Sequence, residues 1–238
     1  MTSDSEPRLM FIHGAGGTHK VWRYQTSAFP KSVALDLPGH PRGKGCDSVS
    51  EYAEFVTQKI VEGKLISPVL AGHSMGGAIA IEIALAHPQL LSGVALIGSG
   101  ARLRVTPVIK DEVTRDYAHA AEVIAEWAYS PKTDAKLKTA SVQELLEVPA
   151  AVTYGDFQAC DHFDRMKEIS RIALPTLIVC GEDDALTPVK YSQYMKDSIP
   201  NARLVIIPGA GHSVMLEKPE ELNAALKSFI SDLRLSGV

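Results

Sequence analysis

The sequence predicts an α/β fold in which a mostly parallel, doubly wound sheet of six strands carries a helical insertion. Short apolar runs alternate with helical patterns over most of the 238 residues, which is typical of parallel sheets with helices on both faces. Between residues 101 and 170 the alternation stops, and helix-like stretches occur without a convincing buried strand. We therefore divide the chain into a core, residues 1–100 and 171–238, and an inserted helical lid, residues 101–170.

Apolar runs that end at turn signals predict the strands, and segments with helical spacing predict the helices. The strands are Arg8–Ile12, Ser32–Leu37, Val69–Ala71, Leu91–Ile97, Thr176–Cys180 and Ala202–Ile207. The core helices are Thr18–Phe29, Ser48–Val61, Ala78–Leu85, Val189–Ser198 and Pro219–Leu233. Ser48 and Glu51 have capping-box spacing, and proline is favoured at a first helical position such as Pro219. The lid helices are Pro107–Ala118, Ala120–Tyr129, Asp134–Leu146 and Asp161–Ile169.

The composition is that of an ordinary globular protein, with 45% hydrophobic and 22% charged residues. A net charge of −4 gives no reason to expect nucleic acid or an anionic membrane as partner. Residues 1–8 are polar and lack the apolar segment of a signal peptide, and no apolar run is long enough to span a bilayer. Cys46, Cys160 and Cys180 form no close pair, so we expect reduced thiols and a cytoplasmic location.

One serine stands at the tip of a very tight turn between a strand and a helix. The turn reads Gly72-His73-Ser74-Met75-Gly76-Gly77. This G-x-S-x-G pattern is typical of a nucleophile elbow, in which glycines two residues from the serine remove side chains that would clash. The turn would expose the Ser74 hydroxyl and place the Met75 N–H at a helix N-terminus, where it can stabilise an oxyanion.

Partners for the serine follow two later strands. Asp183 and Asp184 come after the Thr176–Cys180 strand, and His212 comes after the last strand. The carboxyl ends of parallel strands meet at one edge of a sheet, so we expect these groups near Ser74. His212 can take the serine proton, and either aspartate could orient its imidazole.

A glycine-rich loop follows the first strand and reads His13-Gly14-Ala15-Gly16-Gly17. Its backbone can approach a substrate closely, and we expect the Ala15 N–H to be a second oxyanion donor beside that of Met75. Gly14-Ala15-Gly16 with Asp36 further on also resembles a dinucleotide-binding fingerprint. That alternative lacks its third glycine, which His19 replaces, and it leaves the serine turn unexplained.

Together these motifs resemble the α/β-hydrolase fold family, in its small, lid-bearing carboxylesterase and enol-lactonase-like branch. Asp36-Leu37-Pro38-Gly39-His40 resembles the D-x-P-G-x-G stretch of the family, with Pro41 where glycine is usual. The family's acid motif places the aspartate four residues before a proline, as Asp184 stands before Pro188, which favours Asp184 over Asp183. The resemblance implies a serine hydrolase that cleaves a small carboxylic ester, lactone or thioester without a cofactor or metal.

Two further expectations follow from the resemblance. The family's usual N-terminal β-hairpin is missing, so Ser32–Leu37 becomes an edge strand that residues 1–7 or a second subunit of a homodimer would cover. The candidate substrate-binding residues are His13, Trp127, Tyr129 and Arg102, and Arg104 beside it is a further candidate. Three alternatives stay open, namely a lyase or synthase on the same triad, a C–C bond hydrolase, and a non-catalytic ligand-binding module.

Overall fold

A computed structural model describes residues 8–235 and contains one sheet of six parallel strands in the order β2-β1-β3-β4-β5-β6. The strands are β1 (Leu9–Ile12), β2 (Val33–Leu35), β3 (Val69–His73), β4 (Gly93–Ile97), β5 (Thr176–Gly181) and β6 (Ala202–Ile207). The predicted six-stranded parallel sheet is therefore confirmed. In particular, every neighbouring pair of strands runs in the same direction.

Helices connect the strands and cover both faces of the sheet. They are α1 (Arg23–Ala28), α2 (Val49–Glu62), α3 (Met75–Ala86), α4 (Pro107–Arg115), α5 (Tyr117–Ala128), α6 (Ala135–Leu146), α7 (Ala150–His162), α8 (Val189–Ser198), α9 (Val214–Glu217) and α10 (Pro219–Leu235). Short 3₁₀ turns occupy His19–Trp22, Pro88–Leu90 and Ile169–Arg171. Among the helices of residues 8–235, none is both long and apolar enough to cross a membrane.

The strand order reverses beside β1, and this reversal fixes where a ligand can bind. The chain passes from β1 outward to β2 and then returns across β1 to β3. Loops that leave β1 and β3 therefore diverge at their carboxyl ends and open a crevice, the usual binding place of an open α/β sheet. The glycine-rich loop leaves β1 and Ser74 leaves β3, so both flank this crevice.

The centre of the sheet is fully buried because helices cover it on both faces. All residues of β1, β3, β4 and β5 are buried, and their near-continuous apolar character is typical of parallel strands. Helix α3 is also apolar nearly all round, with buried residues that include Met75, Ile79 and Ile83. A helix of this kind is typically buried inside a protein. Helix α3 begins directly after Ser74 and so supports the serine turn.

β2 has only three residues and forms one edge of the sheet. Residues 1–7, which were expected to cover this edge, lie outside the described residues. Cover by a second subunit stays a prediction.

Helices α4 to α7 lie in the segment between β4 and β5, but two of the four predicted lid helices were wrong. The predicted helix 107–118 ends at Arg115, because Asp116 caps α5 by accepting the His119 N–H at 3.1 Å. The predicted helix 161–169 is absent, and α7 occupies residues 150–162 instead. The backbone of Phe163 is extended, and the next residue, Asp164, forms an antiparallel bridge with Arg102. The chain after α7 therefore runs beside the segment that follows β4.

We predict opposite effects for alanine at two glycines. A Cβ on Gly76 would overlap the Ile12 carbonyl and lie 2.7 Å from the His13 carbonyl oxygen, and neither backbone group can move without shifting β1. Gly76→Ala should therefore lower the free energy of unfolding by about 3 kcal/mol or more. In α7, a Cβ on Gly155 meets nothing closer than the Cys46 carbonyl oxygen at 4.0 Å. Gly155→Ala should raise stability by about 0.5–1 kcal/mol, because alanine favours helix.

Urea unfolding of the two variants beside the unchanged protein measures both effects. A stable Gly76→Ala protein would contradict the close packing of the serine turn against β1.

Candidate active site

Ser74 occupies a strained backbone conformation at the tip of the turn between β3 and α3. Its φ of 51° and ψ of −115° are rare for a residue with a side chain. The surrounding backbone holds it there, since the Ser74 N–H donates to the Ile97 carbonyl at 3.0 Å and its own carbonyl accepts from Ser99 Oγ at 2.8 Å. A Cβ on Gly72 would overlap the Gly76 carbonyl. Strain retained in this way is typical of functional sites.

His212 and Asp184 form a buried pair at the ends of β6 and β5. Nδ1 of His212 lies 2.9 Å from Asp184 Oδ2 and 3.2 Å from Oδ1. A carboxylate only accepts, so Nδ1 carries a proton and the neutral imidazole has its lone pair on Nε2. His212 lines the same pocket as Ser74, which makes Nε2 available as a base on that side.

Asp184 is held as a carboxylate by several donors. It accepts from the Leu186 and Thr187 N–H groups at 2.9 and 2.8 Å and from the Thr187 hydroxyl at 2.8 Å. Burial opposes the charge, but the His212 contact and the Thr187 hydrogen bonds outweigh it and lower the pKa of Asp184. Asp183 accepts from Ser130 Oγ at 2.6 Å instead, so the acid that contacts His212 is Asp184.

The glycine-rich loop lies directly against the serine turn. A Cβ on Gly14 would come within 3.1 Å of Ser74 Cβ, and Ala15 lines the pocket beside Ser74. The Gly17 N–H closes a tight turn onto the Gly14 carbonyl at 3.1 Å. Met75 is the first residue of α3, so its N–H has no partner within the helix. Both predicted oxyanion donors therefore belong to backbone that borders the serine.

The structure corrects the expectation that His13 contacts substrate. Its side chain is fully buried and does not line the pocket. Nδ1 donates to the Gly14 carbonyl at 2.8 Å and Nε2 accepts the Leu37 N–H at 3.1 Å, so both ring nitrogens are used within the loops. Burial, with a smaller effect of His40, lowers the pKa of His13 to about 4. His13 therefore fastens the glycine-rich loop as a neutral imidazole.

His73 lies beside His212 and, like His13, is a neutral imidazole. Its ring centroid is 4.6 Å from that of His212, and its Nε2 is 3.1 Å from the His212 carbonyl oxygen, to which it donates. Burial, followed by the neighbouring His212, lowers the pKa of His73 to about 3. His73 consequently supports the His212 backbone without adding a charge beside it.

The pocket above Ser74 has two lobes that share a floor. Ala15, Ser74, Ile124, Phe157, Leu186 and His212 line both lobes. The first lobe is apolar and adds, among others, Ala121, Ala125, Ala128, Tyr129, Leu145 and Met215. The second lobe adds, among others, Leu103, Arg104, Val105, Ile109, Trp127 and Cys160. The lid helices α5, α6 and α7 thus supply a large part of the apolar wall.

The predicted lid residues fall in different places. Tyr129 is buried in the first lobe with its hydroxyl bonded to Ser141, and Trp127 lines the second lobe. Arg102 lies outside both lobes, where its guanidinium is 3.7 Å from the Asp164 carboxylate, so the expectation that it binds substrate is corrected. Its neighbour Arg104 borders the second lobe and donates to the Asp161 carbonyl at 2.6 Å.

Two carboxylates that sequence reasoning missed form hydrogen bonds between the lid and the loops that border the pocket. Asp156 of α7 accepts the Gly16 N–H at 2.9 Å. Glu217 accepts the Gly211 N–H and the Ser130 N–H, each at 2.8 Å, and so joins the histidine loop to the end of α5. Acidic side chains are usually exposed to solvent, so a single sequence carries no signal for either role.

The region 8–235 contains no group of three or more histidine, cysteine or carboxylate side chains arranged to hold a metal ion.

Sequence comparison assigns the family. The profile of the alpha/beta hydrolase family matches residues 9–225. The chain belongs to this family. It is 27% identical to the pimeloyl-[acyl-carrier protein] methyl ester esterase of Yersinia enterocolitica, over 93% of this chain and 92% of that protein. It is 28% identical to the 2-succinyl-6-hydroxy-2,4-cyclohexadiene-1-carboxylate synthase of Serratia proteamaculans, over 94% and 93%.

A solved structure agrees with the family assignment. A thermophilic esterase superimposes with a TM-score of 0.85 at 33% identity, over 96% of this chain and 91% of that one. The resemblance to esterases of the alpha/beta hydrolase family is thereby confirmed.

The low pKa of His73 predicts a loss of stability in mild acid. The folded protein keeps His73 neutral down to a pH of about 3, whereas the unfolded chain protonates it below its ordinary value of 6.5. The unfolded state therefore binds more protons, and the free energy of unfolding falls as pH decreases through 6.5, by up to about 1.4 kcal/mol per pH unit from this group.

His73→Asn should remove that part of the slope between about pH 6 and pH 4, as measured by urea unfolding. The lost hydrogen bond to His212 lowers the whole curve equally, so the same variant at pH 8 is the reference. An unchanged slope would contradict a neutral, buried His73.

Proposed function

We propose that this protein is a serine hydrolase that cleaves a small carboxylic ester through an acyl-enzyme. The observation that carries the proposal is the arrangement around one pocket, where a strained serine and a histidine paired with a buried carboxylate line the same wall. Membership of the alpha/beta hydrolase family and the similarity to esterases support it.

In the first half-reaction the Ser74 oxygen attacks the ester carbonyl while His212 Nε2 takes the hydroxyl proton. The new C–O bond moves the carbonyl electron pair onto oxygen, and the Ala15 and Met75 N–H groups stabilise that charge. Collapse of the tetrahedral intermediate breaks the bond to the alcohol, which leaves with the proton from His212. Asp184 holds the imidazole in the required tautomer and stabilises the transient imidazolium.

In the second half-reaction water replaces the alcohol. His212 takes a proton from the water, the hydroxide adds to the acyl carbon, and the same N–H groups stabilise the oxyanion. Expulsion of Ser74, which recovers its proton from His212, releases the carboxylic acid. The chemistry needs no cofactor, since nucleophile, base and oxyanion donors are all supplied by the chain.

We assign the acyl group to the first lobe and the alcohol to the second. In the first lobe Ala121 is fully buried and Tyr129 is only 4% exposed. The second lobe has an open rim, because Trp127 is 38% exposed and the Arg104 side chain is 55% exposed. An alcohol must leave while the acyl group stays bound to serine, so the lobe whose rim carries the exposed Trp127 and Arg104 side chains suits the leaving group.

A lyase or synthase reaction on the same residues is the alternative, because one relative is a synthase. A cytoplasmic location, which the three free cysteines support, and a homodimer are further proposals.

The triad assignment predicts graded losses of activity on p-nitrophenyl esters. Ser74→Ala removes the nucleophile and should lower kcat by about 10⁵-fold or more. Asp184→Asn should lower kcat by about 10⁴-fold, because the amide favours the wrong histidine tautomer. Asp183→Asn is the matched control on the adjacent carboxyl and should change kcat by less than about threefold.

Measured turnover across an ester series tests this assignment. Undiminished turnover in Ser74→Ala would mean another nucleophile. Absence of turnover by the unchanged protein on every ester would favour the synthase or a binding module.

The lobe assignment predicts whether a larger side chain in a given lobe lowers kcat/KM for esters with a large acyl group or for esters with a large alcohol group. Ala125 lines the first lobe and Ile109 lines the second. Ala125→Leu should lower kcat/KM for butyrate and longer acyl groups by about tenfold while acetate is retained, because about one to three kcal/mol depends on such a fit. Ile109→Phe should instead discriminate among alkyl acetates of increasing alcohol size. The reverse pattern would exchange the two lobes.

A further inference from the structure

Asp156 is a fully buried carboxylate on the lid helix α7 that bonds to three separate parts of the core. Its Oδ2 accepts the Gly16 N–H at 2.9 Å and lies 2.8 Å from His40 Nε2. Its Oδ1 accepts the Tyr52 hydroxyl at 2.6 Å. The lid is thereby hydrogen-bonded to the glycine-rich loop, to the loop after β2 and to helix α2. The catalytic mechanism above does not use this residue.

His40 carries a positive charge in this cluster. Its Nδ1 lies 2.9 Å from the Pro38 carbonyl oxygen, which can only accept, and its Nε2 faces the Asp156 carboxylate, which also only accepts. Both ring nitrogens therefore hold protons. Burial opposes this charge, but the hydrogen bond and charge of Asp156 outweigh it and raise the pKa of His40. The pair is entirely buried, with both side chains 0% exposed.

A buried ion pair of this kind is weak evidence for stability, because desolvation offsets much of the attraction. Its geometry points to another role. Gly16 has a φ of 63°, and a Cβ there would lie 2.5 Å from Leu145 Cδ1 and 3.1 Å from Thr153. Lid helices α6 and α7 thus cover this residue closely. The Asp156 carboxylate fixes its amide, which is the next one along the chain from the Ala15 N–H.

We propose that Asp156 is a positioning residue that holds the glycine-rich loop so that the Ala15 N–H faces the oxyanion. The inference rests on the proposed function, since it assigns Asp156 a part in the stabilisation of that charge. The helical insertion then contributes to the chemical step as well as to the pocket wall. A shift of about 1 Å in such a donor can lower the rate by about 100-fold, which sets the scale of the expected effect.

The test compares Asp156→Asn and Asp156→Ala with two matched controls. In Asp156→Asn the charge is lost, and either a neutral oxygen or a repelling NH₂ group faces Gly16. Tyr52→Phe removes the donor to Oδ1 and leaves Oδ2 untouched. Thr153 lies on α7, as Asp156 does, and Thr153→Val removes its partly buried hydrogen bond to the Tyr117 hydroxyl of α5 while it keeps the side-chain shape that packs on Gly16.

Both Asp156 variants should lower kcat on p-nitrophenyl acetate by about 10- to 100-fold, with KM changed by less than about threefold. The two controls should lower the melting temperature but keep kcat within about threefold. Equal kcat losses in the controls, or a loss that appears only in KM, would overturn the proposal and leave Asp156 a structural residue. Asp156→Asn is the fallback if Asp156→Ala does not fold.

A second readout separates this proposal from the proposed function. The backbone amide resonances of residues 14–17 in a ¹⁵N-labelled protein report the loop without any substrate. They should shift or broaden in Asp156→Asn and stay in place in Tyr52→Phe. If the protein turns over no ester, these resonances still test whether Asp156 positions the loop. If Ser74→Ala is inactive but Asp156→Asn keeps both its kcat and its resonances unchanged, the inference about Asp156 is rejected and the proposed function stands.

Discussion

The contact between backbone segments at the serine turn determines the geometry of the whole site. β3 ends, the chain reverses at Ser74 and α3 begins at once, so that Gly72 and Gly76 press against carbonyl groups with no space for a side chain. Gly76 also abuts the end of β1, and the Ser74 N–H is bonded to the end of β4. The position of Ser74 is therefore set by three adjacent strands of one sheet. Such sites on regular elements are more precise than sites on loops alone, and the histidine, the acid and the glycine-rich loop are placed relative to this fixed point.

The lid is joined to the catalytic loops by hydrogen bonds as well as by apolar packing. Asp156 links α7 to the loop after β1, and Glu217 links the end of α5 to the loop that carries His212. The Ser130 hydroxyl adds a bond from the same end of α5 to Asp183, which precedes Asp184 in the chain. The contacts of Asp156 and Glu217 use backbone N–H groups of Gly16, Ser130 and Gly211, which would otherwise be buried without partners at a cost in free energy. The insertion and the core therefore share polar contacts at two places around the pocket, although the sequence between β4 and β5 has the pattern of a separate helical unit.

Much of the fold and of the candidate site could be predicted from the sequence because the signals are local. The strand–turn–helix pattern around Ser74 and the aspartate four residues before Pro188 are contained within a few positions each. Helix α7 was missed because its buried positions, Val152, Thr153, Asp156, Ala159 and Cys160, keep helical spacing but include two polar residues. Asp156 shows why a single sequence misses such a helix. It is buried because it accepts a hydrogen bond from the Gly16 N–H, 140 positions away in the chain. His13 was misjudged for a related reason. Its two ring nitrogens bond to backbone groups of neighbouring loops, and only the folded chain brings the Leu37 amide to it.

The neutrality of the neighbouring histidines suits the proposed role of His212 as the base. Proton transfer from Ser74 makes His212 an imidazolium, and a second positive charge on His73, whose ring centroid is 4.6 Å away, would oppose it. At that separation two like charges repel by about 4 kcal/mol in a partly screened protein environment, roughly a thousandfold in rate. Burial keeps His73 and His13 uncharged, whereas His212 has the Asp184 carboxylate against its Nδ1 and the pocket beside it. The positive charge on His40 lies behind His13 and is balanced by Asp156. The imidazoles of the site thus differ in burial and in hydrogen-bond partner, and in the proposed mechanism only that of His212 transfers a proton.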